Sequence, residues 1–319
     1  VIGALLVKRA SDLGADVWRT ARITNYLSAA AAMMLLPLGG TIPSSSLWWH
    51  PPVVALLLFA GNIFTLLALN IGDVSIATPV LGLKILLVAV LAAVLIDDPM
   101  SGRLWTAAAL STVAIALLNF SPGHSHRRVG TTIALSALGA TSYALFDVLV
   151  QKWSFAWGTG RFLPITMACA AVYSLPLRRF EGAGATSTAG MVHKPGAADA
   201  GYTPWLAAGA TCLALQGLMF VSTVSIYRQV TSANVLYSSR GLWSVVGVWA
   251  IGHWFANREQ HLGPRVLAWR FTGAILLMAA ILLVLLATGC GAELSTWCPV
   301  SAGPTQLDPA TDPISAQNA

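Results

Sequence analysis

The chain has 319 residues, 56% hydrophobic and only 9% charged, with a mean hydropathy of +0.71 and a formal net charge of +6. Soluble domains carry about 25% charged residues, so a water-soluble globule is excluded and an all-α, multi-pass membrane protein is predicted. The excess positive charge does not point to nucleic acid, because the cations sit mostly in short connectors between apolar runs, where they act as topology signals.

The apolar stretch Val1 to Val7 breaks at Lys8-Arg9. It is shorter than the roughly 20 helical residues that cross a bilayer, and is read as the end of a first helix that is mostly missing. Lys8 to Arg22 reads as a charged connector, and Ile23 to Gly39 as the second span. Pro43, three serines and Trp48-Trp49-His50 suit a membrane–water interface. A third span runs from Pro52 to Ile71, and a turn at Gly72-Asp73 leads to a fourth, Val74 to Ile96. Asp97-Asp98-Pro99 ends that span, and the fifth covers Leu104 to Phe120. The polar break Ser121 to Val129 holds His124, His126, Arg127 and Arg128, and reads as a solvated loop rather than a metal site.

The second part repeats the rhythm. Spans are predicted over Gly130 to Val150, Phe162 to Leu177, Pro204 to Val224, Val230 to His253 and Val266 to Thr288. A connector with Lys152 and Arg161 follows the first of these, and a flexible one over 178–203 follows the second. Gly289 to Ala319 reads as a disordered tail. Every span must be helical, because backbone groups in lipid need internal partners. The four cysteines lack metal-type spacing. Cys169 and Cys212 read as packing residues, while Cys290 and Cys298 are either free or paired in an oxidising compartment.

The halves align at a shift of 156 residues, which matches Ala77 to Ala233 and Lys84 to Arg240. Trp105 and Trp269 correspond at a shift of 164, and Val7-Lys8 and Gln151-Lys152 at 144. The chain therefore reads as a first five-helix repeat over 1–121, a second over 122–288 and the tail over 289–319. Five is odd, so the second repeat enters the membrane from the opposite side. Inverted repeats of this kind place a substrate site near the bilayer midplane.

With this pattern, and with the stretch Val94-Leu95-Ile96-Asp97-Asp98-Pro99-Met100-Ser101-Gly102-Arg103-Leu104-Trp105, the chain resembles ten-helix members of the drug/metabolite transporter superfamily, the EamA-like group. A weaker counterpart of that stretch lies around Glu259 to Trp269. The resemblance implies a bundle of two inverted repeats that carries a small metabolite across a plasma or inner membrane. It also implies that both termini are cytoplasmic, whereas the loop charges place the C-terminus outside. A cation in the ninth helix resembles the phosphate-sugar and nucleotide-sugar branches, where it contacts the substrate's phosphate.

Lys84 and Arg240 each lie inside an apolar span, where a charge costs about 2.5–3.5 kcal/mol. Both are predicted to face a central site and bind an anionic group; the alternative is a carboxylate or carbonyl partner, or snorkelling to the surface. Asp147 is a proton-coupling candidate, a partner for either cation, or an interfacial aspartate near Lys152. Asn62, Tyr143, Gln216, Tyr237 and Ser239 line the expected pocket or serve as interhelical glue. No catalytic constellation, phosphate-binding loop or metal motif stands in the sequence. The reading is therefore a secondary transporter rather than an enzyme, without cofactor or metal. Its partners are a small-molecule solute and the lipid bilayer, with a homodimer left open and no nucleic acid. The alternatives are an exporter of neutral or cationic metabolites, drugs or amino acids, and a non-transporting sensor or scaffold.

Overall fold

The computed structural model describes residues 2–71, 74–96, 101–118, 129–181, 199–240, 243 and 264–289. Helices α1 (Ile2–Asp12), α2 (Val17–Ala32), α3 (His50–Ile71), α4 (Val74–Gly82), α5 (Lys84–Leu95) and α6 (Gly102–Leu118) come first. They are followed by α7 (Val129–Trp157), α8 (Thr159–Tyr173), α9 (Asp199–Tyr227), α10 (Val230–Ser238) and α11 (Pro264–Gly289). No strand occurs among the described residues. Five helical segments, Ser45–Leu69, Ala77–Leu95, Val129–Trp157, Thr159–Phe180 and Gly201–Tyr227, are long and apolar enough to cross a bilayer. The chain is an all-α membrane protein.

Two expected connectors turn out to be largely helical. The charged stretch from Lys8 to Arg22 is helix except between Asp12 and Val17, where Gly14 takes a φ of 101°. Between α7 and α8 only Gly158 intervenes, with a φ of 76° that an L side chain adopts poorly. Charge alone suggested loops there, but these cations have uses inside the fold. Lys152 donates to the Leu95 carbonyl at 2.7 Å, so it caps the last turn of α5. The connector expected over 178–203 is described only at its ends. Arg178 to Phe180 belong to a 3-10 helix (Leu175–Phe180), and α9 already begins at Asp199. The His124 cluster, Cys290, Cys298, Asp97, Asp98, Glu259 and the tail lie outside the described residues.

The two parts of the chain share element boundaries. Helix α2 runs into a six-residue 3-10 helix (Met33–Leu38), and α8 is followed by the six-residue Leu175–Phe180; both pairs begin 142 residues apart. Helices α3 and α9 end 156 apart, and the nine-residue α4 and α10 start and stop 156 apart. The packing exchanges in the same way. Helix α3 lies on α7 and α8 as α9 lies on α1 and α2, while α4 lies on α6 as α10 lies on α11.

The main core gathers Val54, Val88, Val148, Val150, Trp157, Phe162, Leu163, Val224 and Val230 from helices of both parts. A second cluster joins Ile85, Ala89, Ala107 and Ala108 to Val235, Ala280 and Val284. Alanine at such contacts lets helix backbones approach closely, the usual source of cohesion where lipid removes the hydrophobic drive.

Candidate functional site

The fourth span runs as one helical segment, Ala77–Leu95, with a single irregular turn just before Lys84. The Leu83 N–H bonds to the Val80 carbonyl at 3.0 Å, three residues back instead of four, and α5 starts afresh at Lys84. Pro79 lies inside α4 one turn earlier, and Gly82 lets Ile115 of α6 approach, since a Cβ there would meet its Cγ2 at 2.7 Å. The cognate position is irregular in the same way. The Ser239 N–H bonds to the Leu236 carbonyl at 3.1 Å, immediately before Arg240. Here the local cause is a serine pair: the Ser238 hydroxyl donates to the Val235 carbonyl at 2.5 Å and competes with the backbone. Beyond each break the ladder resumes, from Leu87 N–H to Leu83 O and from Trp243 N–H to Ser239 O.

A lysine at the first position of a helix opposes the helix dipole. That conflict is resolved by Asp147 on α7, whose Oδ2 lies 2.7 Å from Lys84 Nζ. Asn234 of α10 donates to the same oxygen at 2.9 Å and to the Val230 carbonyl at 3.0 Å. Asp147 is only 2% exposed while Lys84 is 22% exposed, so the lysine faces outward from the pair and the carboxylate sits behind it. One turn along α7, Gln151 accepts from the Val230 N–H at 2.7 Å and caps the start of α10. Asp147 and Gln151 thus fix α10 against α7 at two levels.

Two aromatic rings stand beside the lysine. Its ammonium lies 5.7 Å from the Tyr143 ring centre and 5.3 Å from that of Phe220, within cation–π range. The Phe220 ring lies 4.4 Å from the Tyr237 ring. Arg240 also lies over the Tyr237 ring, at 4.4 Å, and donates to its hydroxyl at 2.8 Å. Gln216 Nε2 reaches the same hydroxyl at 2.6 Å. Lys84 and Arg240 therefore stand against the same aromatic pair, and Tyr143 is within electrostatic range of both Asp147 and Arg240.

From Tyr143 a polar chain leads away across the bundle. Its hydroxyl donates to Asn62 Oδ1 at 2.6 Å, Asn62 donates to Asn25 Oδ1 at 3.4 Å, and Asn25 donates to Ser174 Oγ at 2.6 Å. One turn from Asn25, Arg22 holds Glu181 through both carboxylate oxygens, the Nη2–Oε2 bond measuring 2.9 Å. Arg19 donates to the Tyr202 hydroxyl at 2.7 Å. Except for Asn62–Asn25, which joins α3 to α2 within the first part, these links join the first part of the chain to the second.

Lys84, Asp147, Tyr143, Asn62, Gln216, Tyr237 and Arg240, all singled out from sequence, therefore belong to one connected cluster. Ser239 contributes through its backbone at the break. Asp147 is buried, and α7 continues ten residues beyond it. It pairs with Lys84, the carboxylate partner weighed for that lysine from sequence. Arg240 has no carboxylate in ion-pair range among the described residues. It shares a helical face with exposed Leu236 and Trp243, and its guanidinium folds back over Tyr237. Sequence reasoning missed Asn234, Gln151, Asn25 and Phe220. Asn234 carried a signal: it is an amide six positions ahead of the cation in a predicted span.

No protein-family model and no curated protein matches the chain. Solved structures do: 24 chains match. One of them, described only as "Crystal structure of protein", aligns with a TM-score of 0.64 at 16% identity, over 90% of this chain and 97% of its own. At that identity the likeness shows a shared fold over nearly the whole of both chains.

Proposed function

We propose that this protein is a secondary transporter, EamA-like in plan, that moves a small organic anion across a plasma or inner membrane by alternating access. Its two five-helix halves are inverted repeats of a ten-helix bundle. They rock about the cluster between α5, α7, α9 and α10. The shared 142- and 156-residue spacings and the exchanged packing partners support the repeat. A single observation carries the reading: the two cognate spans both carry an irregular turn just ahead of a cation, and both cations meet at one aromatic pair. Discontinuous helices at the midplane are how such carriers expose backbone and charge to a solute. In this reading Arg240 supplies the uncompensated positive charge, Tyr237 and Gln216 orient it, and Lys84, Tyr143 and Asn62 line the opposite wall.

Purified protein in liposomes is expected to take up at least one of lactate, glutamate, glycerol 3-phosphate or a nucleotide sugar, and to be thermally stabilised by it. Arg240→Ala lowers that uptake at least tenfold while leaving the folded protein intact. If none of these solutes enters or stabilises the wild type, the reading is overturned. A second reading, export of neutral or cationic metabolites, draws on the Lys84–Asp147 pair, which removes one of the two positive charges. Competition of uptake by amines instead of acids would favour it.

A further inference from the structure

We infer that the Lys84–Asp147 pair is an exchange switch that couples the solute to a proton; this rests on the anion-transporter reading above. The Lys84 side chain is partly exposed and that of Asp147 is buried, so the lysine is the side of the pair that an arriving acidic oxygen meets first. Once that oxygen takes the ammonium, Asp147 keeps, among the described residues, the Asn234 amide as its side-chain donor. A carboxylate left without its cation in a water-poor interior does not stay charged; it neutralises by taking up a proton.

The charged and titratable groups near Asp147 are few. Helix α5 brings Lys84, α7 itself brings Tyr143 one turn back, and α10 brings Tyr237 with Arg240 just past its end. Helix α4 carries no titratable residue. Among the described residues, α3, α8 and α9 place no group in ion-pair or hydrogen-bond contact with Asp147. Among the described residues, no second cation is in ion-pair contact with Asp147.

The balance is simple. The ammonium stays protonated throughout and trades one anionic oxygen for another. One proton leaves the water and forms the O–H bond of the Asp147 carboxyl. The loaded site thus gains the solute's charge plus one positive charge. A monoanion moves without net charge, and its accumulation follows the pH gradient about tenfold per unit.

The first experiment needs no solute. Infrared spectra of the whole purified chain are expected to show the carbonyl stretch of a protonated carboxylic acid in Lys84→Gln, no such Asp147 band in the wild type near neutral pH, and its loss in Lys84→Gln/Asp147→Asn. A folded Lys84→Gln protein without the band overturns the switch and leaves the transporter reading standing. The second experiment uses wild-type protein in liposomes loaded with a pH-sensitive dye. Lactate or glutamate entry is expected to acidify the interior by one proton per solute, to respond to an imposed pH gradient and to ignore membrane potential. Uptake without acidification overturns the switch alone, and decides the matter even if Lys84→Gln does not fold. Should none of lactate, glutamate, glycerol 3-phosphate or a nucleotide sugar enter, the transporter reading fails and the switch falls with it.

Discussion

The two helix breaks occupy cognate positions yet handle their cations differently. At the first, Lys84 opens a new helix against the dipole and is held by a buried carboxylate that also accepts from Asn234. At the second, Arg240 leans on the face and hydroxyl of Tyr237, three residues back, with no described carboxylate beside it. The same backbone device therefore supports an internal ion pair in one half and, among the described residues, a cation without a carboxylate partner in the other. A repeated framework fixes where a charge enters the membrane interior, while one further residue decides whether that charge is already paired before a ligand arrives. Asp147 is that residue, and it comes from a helix that neither break belongs to.

The sharpest way to break this comparison is to remove the paired cation. Lys84→Ala strands Asp147, and losing one partner of a buried pair costs about 3–5 kcal/mol. Thermal unfolding in detergent is expected to drop accordingly, and Lys84→Ala/Asp147→Asn to regain most of the loss. Equal loss in the single and double variants would show that the pair does not hold the break. Asn234→Ala comes next. It takes a donor from Asp147 and from the Val230 carbonyl, an effect of about 1–3 kcal/mol by the same measurement. Gln151→Ala leaves the Val230 N–H at the start of α10 without its acceptor, a capping loss of about 0.5–2 kcal/mol.

The smallest expected change in stability is at the other break. Arg240→Ala removes an exposed guanidinium with no described counter-ion, and is expected to stay within about 0.5 kcal/mol of the wild type. Its effect is on uptake instead: Lys84→Ala is expected to lower both stability and uptake, and Arg240→Ala uptake alone. A large fall in unfolding temperature for Arg240→Ala would place both cations in the same structural role and end the distinction.

Much of the cluster could be read along the chain. A lysine, an arginine, an aspartate and several amides stand out wherever the surrounding twenty residues are apolar, because each is costly there. The 156-residue spacing of Lys84 and Arg240 likewise carried the cognate positions. What could not be read was use. Lys152 looked like a loop charge and is a helix cap; Asp147 looked equally suited to an interface and to the interior. The breaks at Leu83 and Ser239 were hidden as well, since Pro79 sits inside a run whose hydropathy never falters, and a serine pair is a weak stop signal.

By itself the sequence determined the solvent, the helical backbone and the identity of the polar residues that lipid cannot ignore. These are sums over neighbouring side chains, and hydrocarbon enforces them locally. Only the tertiary structure decided which polar residue meets which. Asp147 reaches Lys84, and Phe220 brings that lysine to Tyr237 and Arg240, because α7 and α9 pack beside the two breaks. The strength of a charge in a low-dielectric interior depends on its nearest partner, and that partner lies on another helix.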